Sequence, residues 1–317
     1  MNSPVSVAKS PKKPFLTQRQ WALVVLFFTP ALLCSNMIVA RAVADSIPPF
    51  TLAFSRWITA VLVLLPFIGL QLYQARDTLA KEWRQLLMLG VLGMGICGAF
   101  PYIGAHTTTA NNIGLIYALS PIFVIIFARI WYAEQLNKRQ ILGVISAFGG
   151  VIVIVAKGDF SVIQEMRFTT GDLWILAATA SWGFYSLWQG HLKSELSLYL
   201  RFAAMSIGGV IALAPFAMME IYQQPAVLTS DPFLRDFFVT IAFLAIVSSI
   251  IAYSAYAYII KILGASKASL VMYAIPLYNA AMAWAFLNEQ LEVFHLIGAA
   301  FILPGLFLAV SKRKTKS

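Results

Sequence analysis

Two stretches of the 317-residue chain decide its architecture: LIYALSPIFVIIFARIWYAEQL at residues 115–136 and LVMYAIPLYNAAMAWAFLNEQL at residues 270–291. Aligned at an offset of 155, they match at Leu115 and Leu270, at Pro121 and Pro276, and at Ala128 and Ala283. They match again through Glu134-Gln135-Leu136 against Glu289-Gln290-Leu291. The register continues to Gly143 with Gly298 and Gly150 with Gly305. Upstream, at an offset of 149, Ala31 meets Ala180, and Leu64, Pro66 and Phe67 meet Leu213, Pro215 and Phe216. Chance pairing among apolar residues explains matched Leu and Ala, but not prolines, glycines and Glu-Gln-Leu held in one register. The chain therefore reads as an internal repeat.

The surrounding composition says where that repeat lives. Hydrophobic residues make up 60% of the chain and charged residues 11%, with a mean hydropathy of +0.79; soluble domains carry about 25% charged residues. Ten apolar runs approach or reach the length of about 20 residues that crosses a bilayer core: 21–40, 50–70, 86–105, 113–132, 141–156, 173–189, 202–221, 237–259, 268–287 and 293–310. Backbone groups in lipid need partners within their own segment, so these runs predict helices. The expected fold is an all-α integral membrane protein of ten transmembrane helices. Its first repeat is 21–157 and its second 171–310, between basic tails at 1–20 and 311–317. The 20-residue core of the first run is too long for the h-region of a cleaved signal. Cys34 and Cys97 fall inside apolar runs and read as packing residues.

Charge fixes the expected threading. With the N-terminus in the cytoplasm, cytoplasmic segments hold 17 of the 23 Lys and Arg. The opposite side holds four (Arg41, Lys157, Arg167 and Arg235), and Arg56 and Arg129 lie inside spans. This positive-inside asymmetry puts both termini in the cytoplasm. The net charge of +10 is thus spread over short connections and makes no nucleic-acid surface. Five spans per half invert one half against the other, the arrangement of many secondary transporters, whose solute site lies near the midplane.

LIYALSPIFVIIF at 115–127, AEQL at 133–136 and their counterparts at 270–291 resemble the EamA domain of the drug/metabolite transporter superfamily. Ala180-Ser181-Trp182-Gly183 resembles that family's Trp-Gly element; Leu33-Cys34-Ser35-Asn36 keeps the Ser-Asn portion and lacks the Trp-Gly pair. The resemblance covers essentially all of 21–310. It implies a ten-helix exporter of amino acids or other small metabolites in a bacterial inner membrane, with a central cavity that alternates access. Its partners would be a small-molecule substrate and membrane lipids, with no cofactor and no metal; oligomeric state stays open.

Polar and aromatic residues within spans are the candidate cavity lining: Asn36, Tyr102, His106, Trp182, Tyr185, Tyr253, Tyr256, Tyr273 and Asn279. Each could equally be packing or an interfacial aromatic. Arg56, about two turns into its span, either faces a cavity or partner or snorkels to the surface. Pro121 and Pro276 interrupt helical hydrogen bonding and either hinge a motion or shape the bundle. Glu134 and Glu289, at symmetric helix ends, are gate candidates or structural caps.

Competing classes are weaker. A membrane enzyme needs clustered His, Asp, Glu or Cys, whereas His106, His191 and His295 are dispersed. A purely structural or receptor-like protein needs no inverted repeat. Within carriers, import, or transport of phosphorylated or nucleotide-linked solutes, is the alternative, and such anions call for more cations in the core than Arg56. All 13 Asp and Glu lie in tails, loops or span ends, so no mid-span carboxylate offers a proton relay. Transport in proteoliposomes is therefore expected to persist when the pH gradient is collapsed; strict dependence on that gradient would count against this reading.

Overall fold

A backbone in hydrocarbon forms helices because nothing else there answers its N–H and C=O groups, and the described residues contain helices and no strand. The computed structural model describes residues 17–43, 46–159, 161–164, 167–224, 231–287 and 290–310. The first half comprises α1 (Gln18–Ala42), α2 (Pro49–Gln74), α3 (Arg76–Gly90), the π-helical π1 (Val91–Ile96), α4 (Cys97–Ala105), α5 (Ala110–Tyr117), α6 (Ser120–Tyr132) and α7 (Lys138–Val155). After the short α8 (Ser161–Gln164), the second half comprises α9 (Thr170–His191), α10 (Leu198–Gln223), α11 (Asp231–Phe243), π2 (Leu244–Ile251), α12 (Ala252–Leu263), α13 (Ala265–Ala268), α14 (Val271–Leu287) and α15 (Val293–Val310).

Among the described residues, eight helical segments are long and apolar enough to cross a membrane, with α3–π1–α4, α5–α6 and α11–π2–α12 each supplying one. The other two expected spans are the helices α9 and α14, which are not among those eight. α9 interleaves Thr, Ser, Gly, Trp and Gln with its apolar residues, and α14 runs 17 described residues. Large apolar side chains such as Phe67, Leu70, Met218 and Phe307 are exposed on the outside of the bundle, as lipid-facing residues must be. The chain is a multi-pass membrane protein.

Two expectations change. The run at 113–132 is one membrane-length segment, but within it α5 ends at Tyr117 and α6 starts at Ser120. Pro121 thus occupies the first turn of a new helix, where its missing N–H costs nothing. Pro276, by contrast, lies inside α14. The run beginning at 86 starts ten residues earlier, as the polar α3 continues without a break into π1 and α4.

Glycines set how closely the helices approach. A Cβ on Gly143 would lie 2.5 Å from the carbonyl oxygen of Gly305, and one on Gly150 would lie 2.7 Å from that of Gly298. Between them, Ser146 Oγ donates to Phe301 O at 2.9 Å. Rising numbers on α7 meet falling numbers on α15, so these helices pack antiparallel, backbone against backbone. Carboxylates serve the helix ends. Glu220 of α10 accepts from the N–H groups of Phe50 (3.3 Å) and Thr51 (2.7 Å), answering first-turn donors of α2 that its Pro48-Pro49 start leaves without a side-chain cap. Asp172 accepts from Thr169 N at 2.7 Å and from Asn112 Nδ2 at 2.9 Å, and also from Thr108 Oγ1.

Gly149, next to Gly150, has open space where its Cβ would stand. Gly150→Val is expected to cost about 1–3 kcal/mol by overpacking and to lower the melting midpoint in detergent by several degrees. Gly149→Ala is expected to leave the midpoint unchanged or raise it slightly. Equal tolerance at both positions would contradict the seam.

Candidate functional site

The site is built around Arg56. Helix α2 carries it in its second turn, and the residue is 1% exposed, so it does not snorkel. Its Nε donates to Ser249 Oγ at 2.5 Å, and its Nη2 donates to the carbonyl oxygen of Ser248 at 3.0 Å. Its Nη1 donates to Asn36 Oδ1 at 2.7 Å and to Tyr102 OH at 2.9 Å. Tyr102 in turn donates to Asn36 Oδ1 at 2.6 Å. The Trp57 and Tyr253 rings face the guanidinium carbon at 4.9 and 5.8 Å from their centroids, a cation–π arrangement that offsets part of the desolvation cost. Every acceptor is neutral.

π2 positions two of these acceptors. Ser248 and Ser249 are consecutive in it, one offering its carbonyl and the other its hydroxyl. Ser249 Oγ also donates to Leu244 O at 2.9 Å, and Ser35 Oγ pairs with Ser248 Oγ at 3.1 Å. π-helical bulges often mark functional sites, because the extra residue frees and redirects backbone groups.

Arg56, Asn36 and Ser248 line a cavity of ≈ 400 Å3, the size of a small-molecule site. Both halves of the chain wall it. Its far end is bordered by the C-terminal turns of α4 and α7 (Ala105, Val155) and the first turns of α5 and α15 (Ile113, His295). Toward the opposite end, Trp182 and Tyr253 form its aromatic floor in edge contact at 5.3 Å. Tyr256 backs Trp182 at 4.8 Å and bonds to Ser186 at 2.9 Å. Among the described residues, no carboxylate lines the cavity.

At that opposite end Glu134 lies beyond α6, whose last turn closes on Ala133 in the left-handed conformation (φ 52°). Glu134 Oε1 stands 3.3 Å from His191 Nε2 at the end of α9, and its Oε2 accepts from Ser266 of α13 at 2.7 Å. The Tyr132 ring stacks on His191 with centroids 3.6 Å apart. The four residues clasp α6, α9 and α13 together.

Of the expected cavity residues, Asn36, Arg56, Trp182, Tyr253 and Asn279 line the cavity, as does Pro276. Tyr102 reaches it through Arg56. Tyr185, bonded by Gln189 at 3.0 Å, and Tyr256 are packed behind Trp182. Tyr273 is buried against Phe148. His106 is exposed just past α4 and does not reach the cavity. Glu289 lies outside the described residues. Sequence reasoning missed Met37, Tyr117, Ser248 and His295, and it assigned Cys34 and Cys97 to packing although both line the cavity. The adjacent hydroxyls Ser248-Ser249 in an apolar run were the available clue.

A multi-pass helical membrane protein with a solute-sized cavity walled by both of its halves belongs to the carrier class of folds. The EamA-like transporter family matches the chain twice, over residues 17–156 and 169–311, and the chain belongs to that family. It is 25% identical to an uncharacterized transporter of Archaeoglobus fulgidus, across 92% of this chain and 97% of that protein. It is 28% identical to the uncharacterized transporter YyaM of Bacillus subtilis, across 74% of this chain and 75% of that protein. The uncharacterized inner membrane transporter YedA of Escherichia coli is 24% identical across 86% of this chain and 85% of that protein. One crystal structure superposes with a TM-score of 0.69 at 18% identity, covering 91% of this chain and 96% of that one, a likeness of fold alone.

The clasp makes its own prediction. Glu134→Ala and His191→Ala are each expected to lower stability, and the double variant to lower it by less than their sum, with a coupling of up to about 1 kcal/mol. Thermal melts of the four proteins measure it; full additivity would mean that the two side chains do not interact.

Proposed function

We propose that this protein is a ten-span secondary carrier whose two inverted halves alternate access to the Arg56 cavity. In this reading it exports amino acids or related small metabolites, and its termini lie in the cytoplasm. The observation that carries the proposal is the cavity itself, walled by both halves, bordered by helix ends on one side and backed by the aromatic floor and Glu134 clasp on the other.

Several features support the inverted arrangement. α2 and α10 have bounds that differ by one offset of 149 at both ends. The third rod of each half carries a π-helical segment, π1 and π2. Along α7 and α15, Gly143 meets the repeat partner of Gly150, and Gly150 meets that of Gly143, as a two-fold axis between them requires. The double family match supports two copies of one unit. With the termini cytoplasmic, the cavity borders the outer end of the bundle and the clasp the inner end, a conformation from which an exporter releases solute. The inner-membrane name of the E. coli relative supports that location.

The walls favour amphiphilic or aromatic solutes, because aromatic and aliphatic side chains dominate them around a single polar cluster. A phosphorylated or nucleotide-linked solute carries at least two charges, and Arg56 is the sole Arg or Lys on the described lining. Overexpression is expected to relieve toxicity of amino-acid analogues, aromatic ones first, and to speed efflux of the matching amino acids. Trp182→Ala is expected to cut that efflux about 10-fold or more, since it removes the floor of the cavity and several kcal/mol of packing. Trp182→Phe, which keeps an aromatic ring, separates lost contact from lost abundance on membrane blots. Unchanged efflux in both variants removes Trp182 from the site.

A further inference from the structure

Building on the carrier reading, we propose that Arg56 and Asn36 form a seat for one carboxylate group of the transported solute. The chemical class is then a monoanionic organic acid or the acid end of an amino acid.

Charge balance makes the first half of the case. Arg56 carries a permanent positive charge, is 1% exposed, and lines the cavity. Its protein partners are an amide oxygen, a phenol, a hydroxyl and a backbone carbonyl. Buried charges are ordinarily paired with an opposite charge, and among the described residues no Asp or Glu lines this cavity. Among the described residues the counter-ion is missing, and the cavity has room for a solute to supply it.

Donor geometry makes the second half. A guanidinium has five N–H groups, and four are used, leaving one on Nη2. Asn36 Oδ1 accepts from both Arg56 and Tyr102, which fixes the amide with its NH2 turned away from them. That NH2 has no acceptor among the described residues. Arg56 thus keeps one N–H, and Asn36 its NH2, without an acceptor among the described residues; both residues border one cavity, and a carboxylate supplies two oxygens to meet such donors.

The seat accommodates one negative charge and no more. The other titratable nitrogen group on the lining is His295, whose Nδ1 accepts from the backbone N–H of Glu292 at 3.0 Å. That hydrogen bond commits Nδ1 to the backbone at the start of α15. Apolar groups fill most of the remaining wall, including Leu33, Met37 and Ile275, which suits the rest of an amphiphilic acid.

The test compares acids with their own amides. The full-length protein in detergent would be titrated with 3-phenylpropionate, 3-phenylpropanamide, L-phenylalanine, L-phenylalaninamide and 2-phenylethylamine, reading the change in intrinsic fluorescence of its eight tryptophans, of which Trp182 lines the cavity. Each acid is expected to bind the wild type about 10-fold more tightly than its amide, and the amine most weakly. Arg56→Lys should keep the preference for acids, and Arg56→Gln should bring the acid-to-amide ratio near unity. If Arg56→Gln does not fold, Asn36→Asp answers the same question, because it supplies the missing counter-ion within the chain and should abolish the preference. Equal binding of acid and amide by the wild type, an acid preference surviving in Asn36→Asp, or no acid binding at all would overturn the seat. Counterflow of the same compounds in proteoliposomes separates the two claims. Acids that bind without being carried would defeat the carrier reading and leave the seat; amides and amines carried as fast as acids would defeat the seat and leave the carrier.

Discussion

A charge within a membrane-spanning helix costs about 2.5–3.5 kcal/mol near the bilayer centre even by the mildest measures. The guanidinium of Arg56, two turns into α2, is held by neutral acceptors and two aromatic faces. Its partners come from α1 (Asn36), α4 (Tyr102) and π2 (Ser248 and Ser249), so one side chain on α2 ties three further helical segments together across the two halves. No acidic residue could be traded for these acceptors without neutralising the cavity. The arrangement thus stabilises the fold and keeps a positive charge available to whatever enters. Those two outcomes come from the same four hydrogen bonds.

Around that centre the scaffold is spare. Close helix contact without a water-driven hydrophobic effect rests on small residues that let backbones touch, and the Gly143–Gly305 and Gly150–Gly298 contacts are of this kind. The carboxylates that could have served as buried counter-ions sit at helix ends instead. Glu220 holds the start of α2, Asp172 the start of α9, and Glu134 the clasp at the opposite end from the cavity. Charge in this molecule is therefore sorted by depth, with acids at the ends and a single cation beside the cavity.

Much of this was legible in the residues. Apolar runs located the helices because hydropathy is local, and matched prolines and glycines pointed to a repeat because its register is periodic. The break between α5 and α6 was not legible, since Pro121 fits a helix interior with a kink and a first turn equally well on paper. Nor were π1 and π2, which no propensity marks; π2 turns Ser248 O and Ser249 Oγ toward Arg56, a tertiary outcome. Among the aromatics, helical spacing put Trp182 and Tyr185 on roughly one face, but only packing decides that Trp182 meets the cavity while Tyr185 lies behind it. Met37, Tyr117 and His295 gather at the cavity from separate helices and carry no shared pattern in the chain.

The EamA-like family gives this chain its class, and the proposal places its solute in the Arg56 cavity. A thiol reporter tests that location, because Cys34 and Cys97 are the two cysteines of the chain and both can be replaced by serine. The decisive measurement is the rate at which N-ethylmaleimide alkylates a Met37→Cys variant in a Cys34→Ser/Cys97→Ser background, in membranes with and without saturating 3-phenylpropionate; Met37 lies partly exposed on the cavity wall. A solute seated in this cavity covers that position, so the rate is predicted to fall. An alkylation rate that bound acid leaves unchanged would contradict the placement of the solute in this cavity.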